Sequence, residues 1–376
     1  MKQPSRNNLS EHHLAHGFAL WAVSALLCFL STFFGSTINC HAQTPSPTPI
    51  WSPSPCVGCS PHATPTRPPT PTPIPDYYQP KGHDSNGTDQ TILEWRVFPP
   101  STMPTPTPPW RNVIVVHEGG FVMGDPFSPN VEVAAGDLAA ANYYVLVVTH
   151  REAPCQLITG QHCHNDTPLG IQSGRPPQQT NDIKALVNAA RADMAHCNGF
   201  VAIVGGSSGA THAIWTALDQ TSTSPAGAWP YWSKASRVNA AACLSGAYLF
   251  SDETPQPDYR VDPLPNFNSF IYNYTNSLDL DVRASLSPVT LLTTSTADIK
   301  PLFIITSEFD PMPRNQIVDI GNALQTAGVN TLLYTIKPPI PDSNEHAFAY
   351  WHSLDGPGGQ LVSVDVINFL NAQPNP

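Results

Sequence analysis

The sequence predicts a doubly wound α/β domain, a mostly parallel β-sheet with helices on both faces. Three observations predict it. Over residues 80–376 short apolar runs alternate with segments of helical periodicity. The later runs are apolar at consecutive positions, as strands are when helices cover both faces of a parallel sheet. One run, Phe200-Val-Ala-Ile-Val204, passes without a break into Gly205-Gly-Ser-Ser-Gly209 and a helix-like segment.

Taken in order, the first strand is expected at Ile92–Phe98, where Trp95 and Val97 alternate with Glu94 and Arg96. Apolar runs then place strands at Asn112–His117, Tyr143–Thr149, Phe200–Val204, Ala240–Ser245, Leu302–Thr306 and Thr331–Ile336. Helices are expected between and after them at Val131–Ala141, Thr180–Ala195, Ser208–Leu218, Asn315–Ala327 and Leu361–Asn371. Two stretches break the alternation. Asp219–Lys234 carries Trp229, Tyr231 and Trp232, and Asp252–Thr290 carries Phe267, Phe270, Tyr272 and Tyr274 in a polar, Pro-punctuated background. These read either as surface loops with small satellite cores or as a cap or substrate-pocket wall over the site.

Residues 1–42 read as a secretory signal peptide: Lys2 and Arg6 precede the apolar run Phe18–Phe34, and Cys40-His41-Ala42 offers a cleavage site. An uncleaved anchor helix is the alternative, because the run lies at the lower limit for crossing a bilayer. A lipoprotein reading through Cys40 is weaker, since Asn39 is bulkier than the residue expected there. Residues 43–79 are dominated by Pro, Thr and Ser and are expected to be an extended, disordered linker. A second insert of this composition, Pro99–Pro109, falls between two strands and is expected as an exposed loop. Residues 80–376 are then long enough for one α/β domain with a full core. The net charge of −11 argues against a nucleic-acid partner. Charged residues make up only 12% of the chain, so solubility rests on Thr, Asn, Ser and Gln, as is common in secreted proteins. Nothing basic and amphipathic suggests that the mature domain is embedded in a membrane. Oligomeric state is not legible.

Apart from Cys28 and Cys40, six cysteines remain, an even number that favours disulfides in an exported chain. Cys155 and Cys163 would close a short loop, and Cys197 and Cys243, on strands expected to be neighbours, are paired. Cys56-Val-Gly-Cys59 matches a redox or metal motif only in spacing, and a local disulfide or an inter-chain crosslink is the simpler reading.

The chemistry gathers at strand ends. Gly205-x-Ser207-x-Gly209 between a strand and a helix is the pattern of a nucleophile elbow. A serine hydroxyl needs a base beside it, oriented in turn by a carboxylate. The strand Leu302–Thr306 ends in Ser307-Glu-Phe-Asp310, and the strand Thr331–Ile336 leads towards His346. Asp310, with Glu308 as competitor, and His346 therefore follow Ser207 in the order acid, base; His352 is a poorer base candidate. Ser208 beside Ser207 leaves a second register open. His117-Glu-Gly119-Gly120 ends an early strand and supplies an oxyanion loop, with donors assigned to Gly119, Gly120 and the Ser208 amide. His162, His164 and Asp166 could mimic a metal cluster, but a polar surface loop is favoured; no metal and no cofactor is expected.

With these residues the chain resembles the α/β-hydrolases of the esterase/lipase type, nearest the hormone-sensitive-lipase-like carboxylesterases. His117-Glu-Gly-Gly120 is similar to that branch's His-Gly-Gly-Gly motif, and Gly205–Ala210 to its Gly-Asp-Ser-Ala-Gly-Gly elbow. Val147-Val-Thr-His-Arg151-Glu-Ala-Pro resembles its Tyr-Arg-Leu-Ala-Pro segment, and Pro176-Pro-Gln-Gln-Thr-Asn-Asp182 its Phe-Pro-Ala-x-x-x-Asp. Glu118 departs from the pattern by placing a carboxylate where the branch has glycine. The resemblance implies a serine carboxylesterase acting through an acyl-enzyme on a small-molecule or polymer-linked ester. Export and the Pro/Thr spacer fit acetyl or feruloyl esters of polysaccharide. Two alternatives are a serine peptidase of the same fold and a non-catalytic module attached to a wall.

Overall fold

A computed structural model describes residues 81–83, 90–92, 95–102, 104–154, 174–218, 237–254, 264–294, 299–308, 310–329, 331–336, 345–356 and 359–376. All lie in the unit Arg67–Pro376. A short hairpin, β1 (Lys81–His83) with β2 (Gln90–Ile92), stands apart from the main sheet. The sheet is built from β3 (Trp95–Phe98), β4 (Trp110–Val116), β5 (Tyr144–Val148), β6 (Cys197–Gly206), β7 (Ala240–Leu244), β8 (Leu302–Ser307) and β9 (Thr331–Ile336). Their spatial order is β3-β5-β4-β6-β7-β8-β9, with β3 antiparallel to β5 and every other pair parallel. The expected run Ile92–Phe98 is thus two strands, one in each sheet. The Pro99–Pro109 insert forms a largely exposed loop between β3 and β4.

The helices are α1 (Pro129–Ala140), α2 (Gln178–Ala192), α3 (Ser208–Leu218), α4 (Leu264–Thr275), α5 (Leu280–Ser285), α6 (Pro288–Thr294), α7 (Asn315–Thr326) and α8 (Val362–Asn371). Alternate residues of each strand feed opposite cores, which is why both faces had to be apolar. Ile114, Val116, Ile203, Cys243 and Ile304 pack against α2, α3 and α7. Val113, Val115, Ala202, Val204 and Phe303 pack against α1 and α8. A third cluster, Phe121, Trp215, Phe250, Phe267, Ile271 and Tyr274, sets α4 over one end of the sheet.

In the stretch Asp252–Thr290 the described residues are helical over α4, α5 and the start of α6, and Phe267, Phe270 and Ile271 of α4 line the cavity that holds Ser207, as the pocket-wall reading expects and the loop reading does not. One expectation fails: Cys197 and Cys243 do not form a disulfide; both are buried free thiols. Their strands are neighbours, but Cys243 lies opposite Gly205, eight positions beyond Cys197. At the rise of an extended strand that is a separation of about 26 Å, far beyond disulfide reach. The signal segment, the linker, the remaining cysteines, His162, His164, Asp166 and the aromatic stretch Asp219–Lys234 lie outside the described residues. Among the described residues no helix is long and apolar enough to cross a membrane.

A buried ion pair joins the chain after β5 to α2. The Arg151 guanidinium donates to Asp182 through Nε (3.0 Å to Oδ2) and Nη2 (2.8 Å to Oδ1), and the Arg151 amide donates to Oδ2 at 2.9 Å. Both side chains are 0% exposed. Removing one partner strands a charge in the core, so Arg151→Met should lower the unfolding free energy by about 3–5 kcal/mol. Urea denaturation checks this, with an unchanged transition ruling out a structural role for the pair.

Candidate active site

The chain leaves β4 outward to β5 and returns to β6 on the other side of β4. Their carboxyl ends therefore bound the crevice at a topological switch point, where ligands bind in open α/β sheets. The loops that meet there begin at His117, after β4, and at Ser207, between β6 and α3.

Ser207 has φ +53°, a left-handed conformation, and its amide donates to the Leu244 carbonyl at 2.8 Å. So sharp a turn brings backbone against backbone. A Cβ on Gly205 would lie 2.2 Å from the Gly209 carbonyl oxygen, and one on Gly209 would lie 2.4 Å from that of Val116. Both glycines are required by this close approach. Ser208 is instead the first residue of α3, and its buried hydroxyl has no hydrogen-bond partner among the described residues.

Asp310 follows β8 and is 1% exposed. Its Oδ1 accepts from the Met312 amide at 2.8 Å and from His346 Nδ1 at 2.8 Å. Its Oδ2 accepts from the hydroxyls of Thr306 (3.2 Å) and Ser245. Because Nδ1 donates to a carboxylate, the proton of the neutral ring sits there and Nε2 is left as an acceptor. Burial lowers the His346 pKa, but the charge and hydrogen bond of Asp310, with the charge of Glu118, outweigh it and leave it above the ordinary value. The bond goes to Asp310, while Glu308 lies two residues earlier on the same turn. His352 is elsewhere, its Nε2 against Asp137 of α1.

His346 is held by groups that no sequence pattern singles out. Ser245 Oγ accepts the Ala347 amide at 3.0 Å and lies 2.8 Å from the Tyr350 hydroxyl. One hydroxyl at the end of β7 thus fixes both Asp310 and the backbone next to His346. The usable signal was its position, a hydroxyl residue at the carboxyl end of the strand beside the acid's strand.

Under the β4 loop lies a stack of buried histidines. The rings of His117 and His150 are 4.7 Å apart, and His150 meets His212 edge-on at 5.2 Å. Burial lowers the pKa of His117 to about 3 and of His150 to about 4, with His150 adding to the effect on His117. His212 is also held neutral by burial. Its Nδ1 accepts from the Thr180 hydroxyl at 3.0 Å, and its Nε2 donates to Gln179 Oε1 at 2.8 Å. Gln179 Nε2 in turn donates to the Phe121 carbonyl at 2.7 Å, fixing a residue with φ +70° in the β4 loop. Among the described residues no group of three or more His, Cys, Asp or Glu side chains is arranged to hold a metal ion.

Ser207, Ser208, Gly119, Gly120, Glu118 and His346 line one cavity of about 290 Å³. Its remaining wall is mostly apolar: Phe121, Met123, Phe267, Phe270, Ile271 and Met312. The Phe270 ring presses on Gly120, 2.4 Å from where a Cβ would stand. Five of the six predicted site residues, Ser207, Ser208, Gly119, Gly120 and His346, thus line one cavity, and the sixth, Asp310, is hydrogen-bonded to His346.

No protein-family model and no curated protein sequence matches the chain. Solved structures do. A truncated carbohydrate esterase from gut microbiota is 15% identical at a TM-score of 0.54, over 74% of this chain and 90% of that one. An esterase of Pyrobaculum calidifontis is 18% identical at 0.56, over 81% and 87%. Thermogutta terrifontis esterase 2, in a structure phosphonylated by sarin, is 16% identical at 0.51, over 81% and 93%. At such identities the likeness speaks for architecture, and the architecture of this chain is the α/β-hydrolase fold.

Proposed function

We propose that this protein is an exported serine carboxylesterase. The observation that carries the reading is His346, hydrogen-bonded through Nδ1 to buried Asp310 while lining the same cavity as Ser207. In this reading Ser207 Oγ attacks an ester carbonyl as His346 Nε2 takes its proton, and Asp310 stabilises the imidazolium that forms. The amides of Gly119, Gly120 and Ser208 receive the charge that develops on the carbonyl oxygen. The imidazolium then gives its proton to the departing alcohol. Water, activated by the same base, hydrolyses the acyl-enzyme and restores Ser207. The esterase names of the structural neighbours, one of them phosphonylated by sarin, support the reaction class. Export rests on the signal-like residues 1–42. With the Pro/Thr linker and a carbohydrate-esterase neighbour, export supports acyl decorations of polysaccharide, acetyl or feruloyl, as substrates.

A fluorophosphonate probe together with p-nitrophenyl acetate tests the reaction. Covalent labelling and turnover are expected, and the absence of both would sink the enzyme reading. The aromatic wall supports a short or planar acyl group. Phe270→Ala should raise kcat/KM for octanoate relative to acetate by about tenfold, since a methylene in an apolar pocket is worth 1–3 kcal/mol. A chain-length series of p-nitrophenyl esters reads this directly.

A further inference from the structure

Glu118 is the residue at which the oxyanion loop departs from its expected glycine, and it lines the cavity with Ser207 and His346. Its carboxylate stands close enough to His346 and Asp310 for their charges to act on it. Its Oε2 is buried and has no hydrogen-bond partner among the described residues. Ala347, next to His346, has φ +49°, and its amide is held by Ser245. The strained turn after His346 is thus held from the end of β7.

We propose that Glu118, in the same cavity wall as Ser207 and His346, is the group by which the cavity rejects negatively charged esters. This rests on the serine-esterase reading. The charged groups facing His346 are Asp310 after β8 and Glu118 after β4. Glu345, the preceding residue, has its carboxylate at the Ser307 hydroxyl, 3.4 Å away. The imidazolium therefore forms with two carboxylates acting on it, Asp310 by a hydrogen bond and Glu118 by its charge. Burial raises the Glu118 pKa, and the nearby His346 charge and the Phe348 amide work against that rise. His346 is the one residue in the cavity wall, among the described residues, whose side chain can take a positive charge, and it does so only on accepting a proton. An anionic substrate would bring a further negative charge into an apolar cavity beside Glu118, where charges are poorly screened.

Glu118 has two opposed effects on the plateau rate. It stabilises the imidazolium and opposes the oxyanion that grows beside Gly119 and Gly120. On the ionisation of His346 in the free enzyme only the first effect acts. Removing the charge favours the neutral ring, so the acid limb of kcat/KM must move to lower pH.

The test compares the full chain with Glu118→Gln, which keeps the side chain's shape and removes its charge, and with Glu118→Gly. Profiles of kcat/KM against pH are measured with p-nitrophenyl acetate. Mono-(4-nitrophenyl) succinate, anionic, is set against 4-nitrophenyl pentanoate, neutral and of similar length. The wild type should favour pentanoate by at least about tenfold, as like charges brought together in an interface cost several kcal/mol. In both variants that preference should fall about tenfold and the acid limb should lie at lower pH. An unmoved limb or an unchanged preference in a folded variant overturns the proposal while leaving the esterase reading intact. A wild type that neither labels with the probe nor turns over ester overturns both.

Discussion

Ser207→Ala is expected to lower kcat on p-nitrophenyl acetate by about 10⁴–10⁶-fold and to abolish fluorophosphonate labelling, the loss typical when a nucleophile acting as one unit with its base is removed. Ser208→Ala should stay within about tenfold of wild type, because a backbone amide survives the loss of the side chain. The distinction rests on geometry. Ser207 occupies the left-handed turn between β6 and α3, clamped by Gly205 and Gly209, whereas Ser208 already belongs to the helix. Active-site titration of both variants decides the register. Labelling retained by Ser207→Ala and lost by Ser208→Ala would reverse it.

Asp310→Asn should cost about 10³–10⁴-fold in kcat, the scale seen when a triad carboxylate is neutralised without loss of shape. Asp310 accepts four hydrogen bonds, from His346, Met312, Ser245 and Thr306. A carboxamide can meet two of them with its oxygen and must turn its NH₂ towards the others. The pH dependence adds a second readout. The Asp310 charge raises the His346 pKa against the lowering effect of burial. Neutralising it favours the uncharged imidazole, so the acid limb of kcat/KM should move to lower pH even as the plateau collapses. A plateau within tenfold of wild type would remove Asp310 from the reading.

The order Ser207, Asp310, His346 was legible because in this architecture reactive side chains stand on loops after successive parallel strands, and those strands are short apolar runs. Helix α4 was harder to see. Phe267, Phe270, Ile271 and Tyr274 recur at helical spacing, but Asn266, Asn268, Asn273 and Pro265 dilute the signal with poor helix formers. The failed Cys197–Cys243 pairing has another cause: composition marks two strands as neighbours without fixing where along them two side chains stand. Contacts across loops were less legible still. Arg151 and Asp182 are separated by a long insert, Ser245 acts on Asp310 from another strand, and Glu118 shares a cavity wall with His346 far along the chain. No local pattern records such meetings, since each depends on the register of the whole sheet.

The exposed Pro-rich loop between β3 and β4 sits at the far end of the sheet from Ser207. Because β3 runs antiparallel, this loop emerges at the amino ends of the parallel strands, about 20 Å of β4 away from the cavity. A peptide tag, a dye or a surface linker grafted there would orient the protein with its cavity mouth facing away from the support. Immobilised through this loop, the protein would present its cavity to a solid polymer as readily as to a dissolved ester.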